Sequence, residues 1–119
     1  MATKFEDLPS QVQNQLRQLQ QLQQQMELLL QQKLQVEIRL RDAEDALEEL
    51  NKLEENADVY KGVGNLIVKS EKSKLIKELQ EEKENLEIRK KTMESQENRM
   101  KEKINELQSK IQEALKPTQ

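Results

Sequence analysis

The residues best equipped for chemistry in this chain are its paired carboxylates, Glu48-Glu49, Glu54-Glu55 and Glu81-Glu82. Two neighbouring acids can divide general acid and general base duties when their environments separate their proton affinities. That work also needs a pocket and groups to orient the substrate, and nothing around these pairs supplies them. The 119 residues include no His and no Cys. This removes the imidazole base, the usual catalytic triads, ordinary transition-metal and zinc–thiolate sites, disulfides and thiol redox chemistry. Lys stands four residues after Glu48 (Lys52) and after Glu87 (Lys91), the spacing of surface ion pairs on a helix. The acids therefore read as solvated helix faces. No catalytic residue, metal site or cofactor is expected, and the protein is not expected to be an enzyme.

Two other patterns fall short of a ligand site. Gly62-x-Gly64 lacks the third glycine and the following helix of a nucleotide loop. Arg89-Lys90-Lys91 is a single short basic cluster with acids on both sides. Net charge is -3, shared unevenly: residues 1–57 carry six basic and eleven acidic side chains, and residues 58–119 carry fourteen and twelve. A nucleic-acid partner needs a basic stripe, and none is present. The longest apolar runs, Leu28-Leu29-Leu30 and Leu66-Ile67-Val68, are three residues, against about 20 for a membrane span. Met1 to Gln11 contains no signal-peptide core, so a cytoplasmic protein without a membrane partner is expected.

Positioning must come from long helices. Charged residues make up 36% and the hydrophobic set only 34%, with one Phe, one Tyr and no Trp. Such a chain cannot fill a globular core, but it can bury narrow stripes. From about Leu8 to Glu55, steps of three and four residues pick out Leu8, Val12, Gln15, Leu19, Leu22, Met26, Leu29, Lys33, Val36, Leu40, Ala43, Leu47, Leu50 and Glu54. Eleven of these fourteen are apolar, a heptad stripe. Ser10 or Asp7 suits the N-cap. A side row of Leu16, Leu30, Leu34 and Ile38 implies either a broader contact or apolar surface left for something else. The many Gln residues between Gln11 and Gln35 fit a solvated helix face, because Leu recurs among them at helical spacing.

A second helix is expected from about Glu71 to Lys116. Leu79, Leu86, Met93, Met100, Leu107 and Ala114 recur every seven residues. Ile76, Ile104 and Ile111 hold the companion position, with Lys83, Lys90 and Glu97 between them. Ser70 or Ser73 can cap its start, and Pro117 follows its end. Two helices of similar length, each about 70 Å, fold back into an antiparallel pair.

The connector, about residues 58–70, reads as β structure. It holds both glycines, the only Tyr and a β-branched cluster, with strands near Val59 to Val63 and Leu66 to Lys69. Gly64-Asn65 suits a two-residue turn, and Gly62 suggests a bulge or a close backbone approach. An isolated hairpin is marginal in water and presents open edges. Pairing with the same element of other subunits resolves both problems. At the opposite end, Phe5, Leu8, Val12, Leu16 and Leu19 meet Ile104, Leu107, Ile111 and Leu115. Fraying there exposes apolar groups able to hold other apolar segments; the alternative is a closed, ordinary coiled-coil end.

The run Val59-Tyr60-Lys61-Gly62-Val63-Gly64-Asn65-Leu66-Ile67-Val68, set between two equal helices, resembles the β-type subunits of the prefoldin family. The Gln/Leu-rich first helix and Ala46-Leu47-Glu48-Glu49-Leu50 are also similar, and the resemblance covers residues 1–119 as one prefoldin-like domain. A single hairpin is similar to the β-type, since the α-type carries two. The absence of Cys and of extensions is similar to archaeal members. The resemblance implies an ATP-independent chaperone subunit in a hexamer of two α-type and four β-type subunits. Their hairpins would form a β-barrel from which the coiled coils project. Unfolded clients would be held at the distal tips and passed to a group II chaperonin. Carried onto this chain, it implies assembly through Val59, Tyr60, Val63, Leu66, Ile67 and Val68. Client contact would fall on Phe5, Leu8, Val12, Leu16, Leu19, Ile104, Leu107, Ile111 and Leu115. The competing reading is a structural coiled coil that only oligomerises or tethers.

Overall fold

The computed structural model describes residues 4–116. A short 3-10 turn, Phe5–Asp7, leads into helix α1 (Ser10–Asn51). Strands β1 (Val59–Val63) and β2 (Leu66–Ser70) follow, and then helix α2 (Lys72–Leu115). The fold is thus two long helices joined by an antiparallel β-hairpin, as the sequence predicts. The chain forms two compact units. One holds the described parts of 1–32 and 93–119, and the other holds Lys33–Thr92.

In the first unit Val12, Leu29, Leu107 and Ile111 are buried. Leu19, Leu22, Met26, Met93, Met100 and Ile104 are half-buried along the same seam. Two polar residues share it. Glu97 is buried and takes Lys101 at 3.1 Å. Gln15 lies in the stripe with its Oε1 buried and without a hydrogen-bond partner. In the second unit Val36, Ala43, Leu75 and Leu86 are buried with Val59 of β1. Arg39 of α1 reaches Glu82 of α2 at 3.3 Å. Of the fourteen stripe positions on α1, only Glu54 is exposed, and it lies beyond the end of the helix. The side row separates from the stripe: Leu30, Leu34 and Ile38 are exposed while Leu16 is half-buried.

The helix ends differ from expectation. The first α1 bond runs from Gln13 N–H to the Pro9 carbonyl at 3.0 Å, and the first α2 bond from Leu75 N–H to Glu71 O at 3.0 Å. Pro9 and Glu71 therefore occupy the cap positions, not Ser10, Asp7, Ser70 or Ser73. In place of a hydroxyl cap, Gln13 Nε2 donates to Leu8 O at 2.8 Å and Glu6 O at 3.3 Å, tying the 3-10 turn to α1. At its other end α1 tightens, with Lys52 N–H donating to Glu49 O and Leu53 N–H to Leu50 O, bonds of the 3-10 type. The helix stops four residues before Glu55 for this reason. Lys72 Nζ then donates to the Leu53 carbonyl at 2.7 Å. Ala114, placed in the α2 stripe by its period, is exposed at the last turn; Pro117 lies outside the described residues.

Two further contacts fix the hairpin on the second unit. Val59 is buried, and Lys61 Nζ donates to Glu78 Oε2 of α2 at 2.9 Å. That hydrogen bond, helped by the charges of Lys61 and Lys74 and opposed by partial desolvation, holds the Glu78 carboxyl below its ordinary value.

Two outcomes are predicted. Leu86→Ala should destabilise the chain by about 2–5 kcal/mol in chemical denaturation, whereas Leu34→Ala, on the exposed row, should change it by less than about 0.5 kcal/mol. Because folding lowers the Glu78 pKa, its contribution is present above the ordinary carboxylate value, 4.5, and is lost as pH falls through the lower folded value. The thermal stability gap between wild type and Glu78→Gln should therefore be widest near neutrality and close in strong acid; a gap independent of pH would contradict the linkage.

Candidate functional site

The hairpin is built by a short local code. β1 and β2 pair in the register Val59↔Ser70, Tyr60↔Lys69, Lys61↔Val68, Gly62↔Ile67 and Val63↔Leu66. The two-residue turn between them is Gly64-Asn65. Gly64 has φ 58, and among the described residues no other residue has positive φ, the pattern of a II′ turn with Gly first. Gly62 is no bulge: it pairs in register with Ile67, and a Cβ there would meet nothing within 4 Å. The expected close approach is therefore not made within this chain.

Opposite residues share a face, so Val59, Lys61, Val63, Leu66, Val68 and Ser70 lie on one side and Tyr60, Gly62, Ile67 and Lys69 on the other. Of the six apolar or aromatic hairpin residues named from sequence, only Val59 is buried. Tyr60, Val63, Leu66, Ile67 and Val68 are 59%, 51%, 69%, 80% and 45% exposed. The sheet has two strands, so the outer edge of each remains open. Beneath Tyr60 and Lys61 a cavity of about 440 Å³ reaches Leu50, Leu75 and Leu79. The hairpin thus offers apolar side chains on both faces and hydrogen-bonding backbone at both edges, a surface suited to strand addition by another chain. Lys61 and Glu78, which anchor it, were not singled out in the sequence. Their signal is weak because a Lys on a strand and a Glu on a helix meet only through the tertiary fold.

The second candidate surface lies in the other unit and divides into three groups. Val12, Leu107 and Ile111 are buried; Leu8, Leu16, Leu19 and Ile104 are half-buried; Phe5 and Leu115 are exposed. The guanidinium of Arg17 sits 5.3 Å from the Phe5 ring centroid, within cation–π range. With the Gln13 bonds, this contact folds the N-terminal turn onto α1. Most of the named apolar residues there are covered by one another, and only an opening of the helix pair would present all of them.

The carboxylate pairs occupy ordinary surface roles. Lys52 sits 3.8 Å from Glu48 and 3.4 Å from Glu49, and Glu82 pairs with Arg39. Glu87 and Lys91 form no ion pair among the described residues. No described group of three or more acids is placed to hold a metal ion, and no described helix is long and apolar enough to cross a membrane.

Known proteins share this arrangement. The Prefoldin subunit family profile matches residues 13–117. The prefoldin subunit beta of Archaeoglobus fulgidus is 57% identical over 83 residues, 70% of this chain and 72% of that protein. That of Thermococcus onnurineus is 49% identical over 114 residues, 96% of this chain and 98% of that protein. The crystal structure of the prefoldin beta subunit from Thermococcus strain KS-1 matches with a TM-score of 0.85 at 47% identity, covering 92% of this chain and 96% of that one. A single exposed hairpin between two long helices, matched over nearly the whole length in sequence and in structure, settles the family: the chain belongs to the prefoldins, as a β-type chaperone subunit of the archaeal kind.

Proposed function

We propose that this chain is one of four β-type subunits that join two α-type subunits in a cytoplasmic hexamer, and that it holds unfolded proteins at the distal helix end without ATP for transfer to a group II chaperonin. One observation carries the reading. The hairpin exposes five apolar or aromatic side chains while both its strand edges stay open. Fully burying each large side chain in a subunit contact contributes about 1.5–3 kcal/mol, and edge pairing satisfies the open backbone. A common sheet or barrel leaves the opposite ends of the helices available for clients. Several arms acting together would hold one client by many weak contacts. Release would follow when the chaperonin competes for the client.

At the helix end, client contact requires the seam around Val12, Leu107 and Ile111 to part. Gln15 favours this. Its buried Oε1 has no partner, and an unsatisfied buried acceptor costs roughly 1–3 kcal/mol. That cost is relieved when the end opens and water reaches the amide.

The deciding experiment mixes the chain with an α-type prefoldin subunit and measures both mass and the aggregation of a denatured model client. Removing residues 1–19 and 104–119 should leave the assembled mass reduced only by the deleted residues and abolish aggregation suppression. Full suppression by the trimmed protein would overturn the tip assignment. Suppression absent from the untrimmed assembly would favour a coiled-coil tether. A second outcome tests the opening: Gln15→Leu should raise stability by about 1 kcal/mol or more and reduce aggregation suppression, read from denaturation curves and light scattering on the same samples.

A further inference from the structure

A groove of about 410 Å³ runs beside the seam of the first unit. Its floor is apolar, formed by Leu22 and Leu29 of α1 and Met100 of α2. Leu28 forms one wall and is 56% exposed, which extends the apolar floor toward solvent. Arg99 and Lys103, one helical turn apart on α2, form the other wall. Both are exposed, and neither has an ion-pair or hydrogen-bond partner among the described residues. No carboxylate lines the groove; its remaining polar groups are the amides of Gln25, Gln32 and Gln96.

We propose that this groove holds an extended segment of non-native polypeptide in which a large apolar side chain is flanked by acidic ones. The proposal rests on the reading that the chain holds unfolded proteins and gives that activity a second site and a client preference. Each part of the groove matches one part of such a segment. The Leu22, Leu29 and Met100 floor takes the apolar side chain, and Met adapts to varied shapes. Each Gln amide carries both donors and an acceptor, the complement of an exposed main chain. Arg99 and Lys103 attract a carboxylate on the segment and repel a basic one.

Two other grooves among the described residues lack this combination. The one between 44–51 and 80–87 is walled by Glu44, Glu48, Glu84 and Glu87. The one under the hairpin carries Glu49, Glu78 and Glu82, and its single cation, Lys61, is engaged by Glu78.

Two dye-labelled peptides test the proposal, both with the same short Leu/Phe core, one flanked by Glu and the other by Lys. Each is titrated by fluorescence anisotropy with the full-length chain assembled with its α-type partner. The Glu-flanked peptide should bind roughly threefold to tenfold more tightly, as two exposed charge pairs allow, and added salt should shrink the difference. The double variant Arg99→Glu with Lys103→Glu should invert the preference, with unchanged helicity by circular dichroism because both positions are exposed. Leu28→Gln should weaken both peptides while keeping their order. Equal binding of the two peptides, or an order unchanged by the double charge reversal, overturns the groove and leaves client holding intact. Binding of neither peptide, with the client still protected from aggregation, overturns the groove alone; loss of both overturns the groove and the holding reading together.

Discussion

Every feature of this protein depends on the narrowness of its apolar stripe. With 34% hydrophobic residues, each helix commits only a narrow apolar stripe to its neighbour. Packing density in such a seam matches that of any interior, so Val12, Val36, Leu86 and their neighbours disappear from solvent. The apolar side chains left over on α1, Leu30, Leu34 and Ile38 among them, stay exposed and do not cover the connector. The hairpin keeps one anchor in the second unit's core, Val59, and leaves its other large side chains outside. Exposure of the hairpin is thus a consequence of the same economy that makes the helices soluble, and it turns the connector into an interface.

The seam is not uniform, and its polar positions set where it is firm. Glu97 is buried yet paired with Lys101, so its charge is answered locally. Gln15 is half-buried, with its Oε1 buried and unanswered. A buried polar atom without a partner lowers the cost of local opening, and here it lies between one and two turns into α1. The Gln13 clamp and the stacking of Arg17 on Phe5 act in the opposite direction. The first unit therefore combines a stapled N-terminal turn with a weakened seam, an arrangement suited to opening without unravelling.

Much of this was legible in the sequence. A period of alternating threes and fours located the buried face of α1, because helix geometry is local and one residue type repeated at that spacing must lie on one side. Gly64-Asn65 located the turn for the same reason: a positive φ is a demand on one residue. The run Leu28-Leu29-Leu30 carries the same information. Only Leu29 falls on the stripe, so its two neighbours had to be exposed, and Leu28 faces the groove. The caps were misread because Ser10, Asp7, Ser70 and Ser73 all have the right chemistry, and only backbone geometry decides which residue gives up its carbonyl to the first bond. Neither the bulge nor the close approach that Gly62 suggests is made within this chain, because glycine permits several conformations and requires none of them.

The sequence alone determined two helices, their buried faces, a hairpin between them and the lack of the imidazole and thiol groups most catalytic chemistry uses. These follow from residue type and spacing along one element. Tertiary structure alone decided that Lys61 holds Glu78, that Val59 is the one buried hairpin residue, that most apolar residues near the helix end cover one another, and that Arg99 and Lys103 share a groove with Leu28. Each of those facts joins residues far apart in the chain, and distance in space between such residues is set by packing, which no local period encodes.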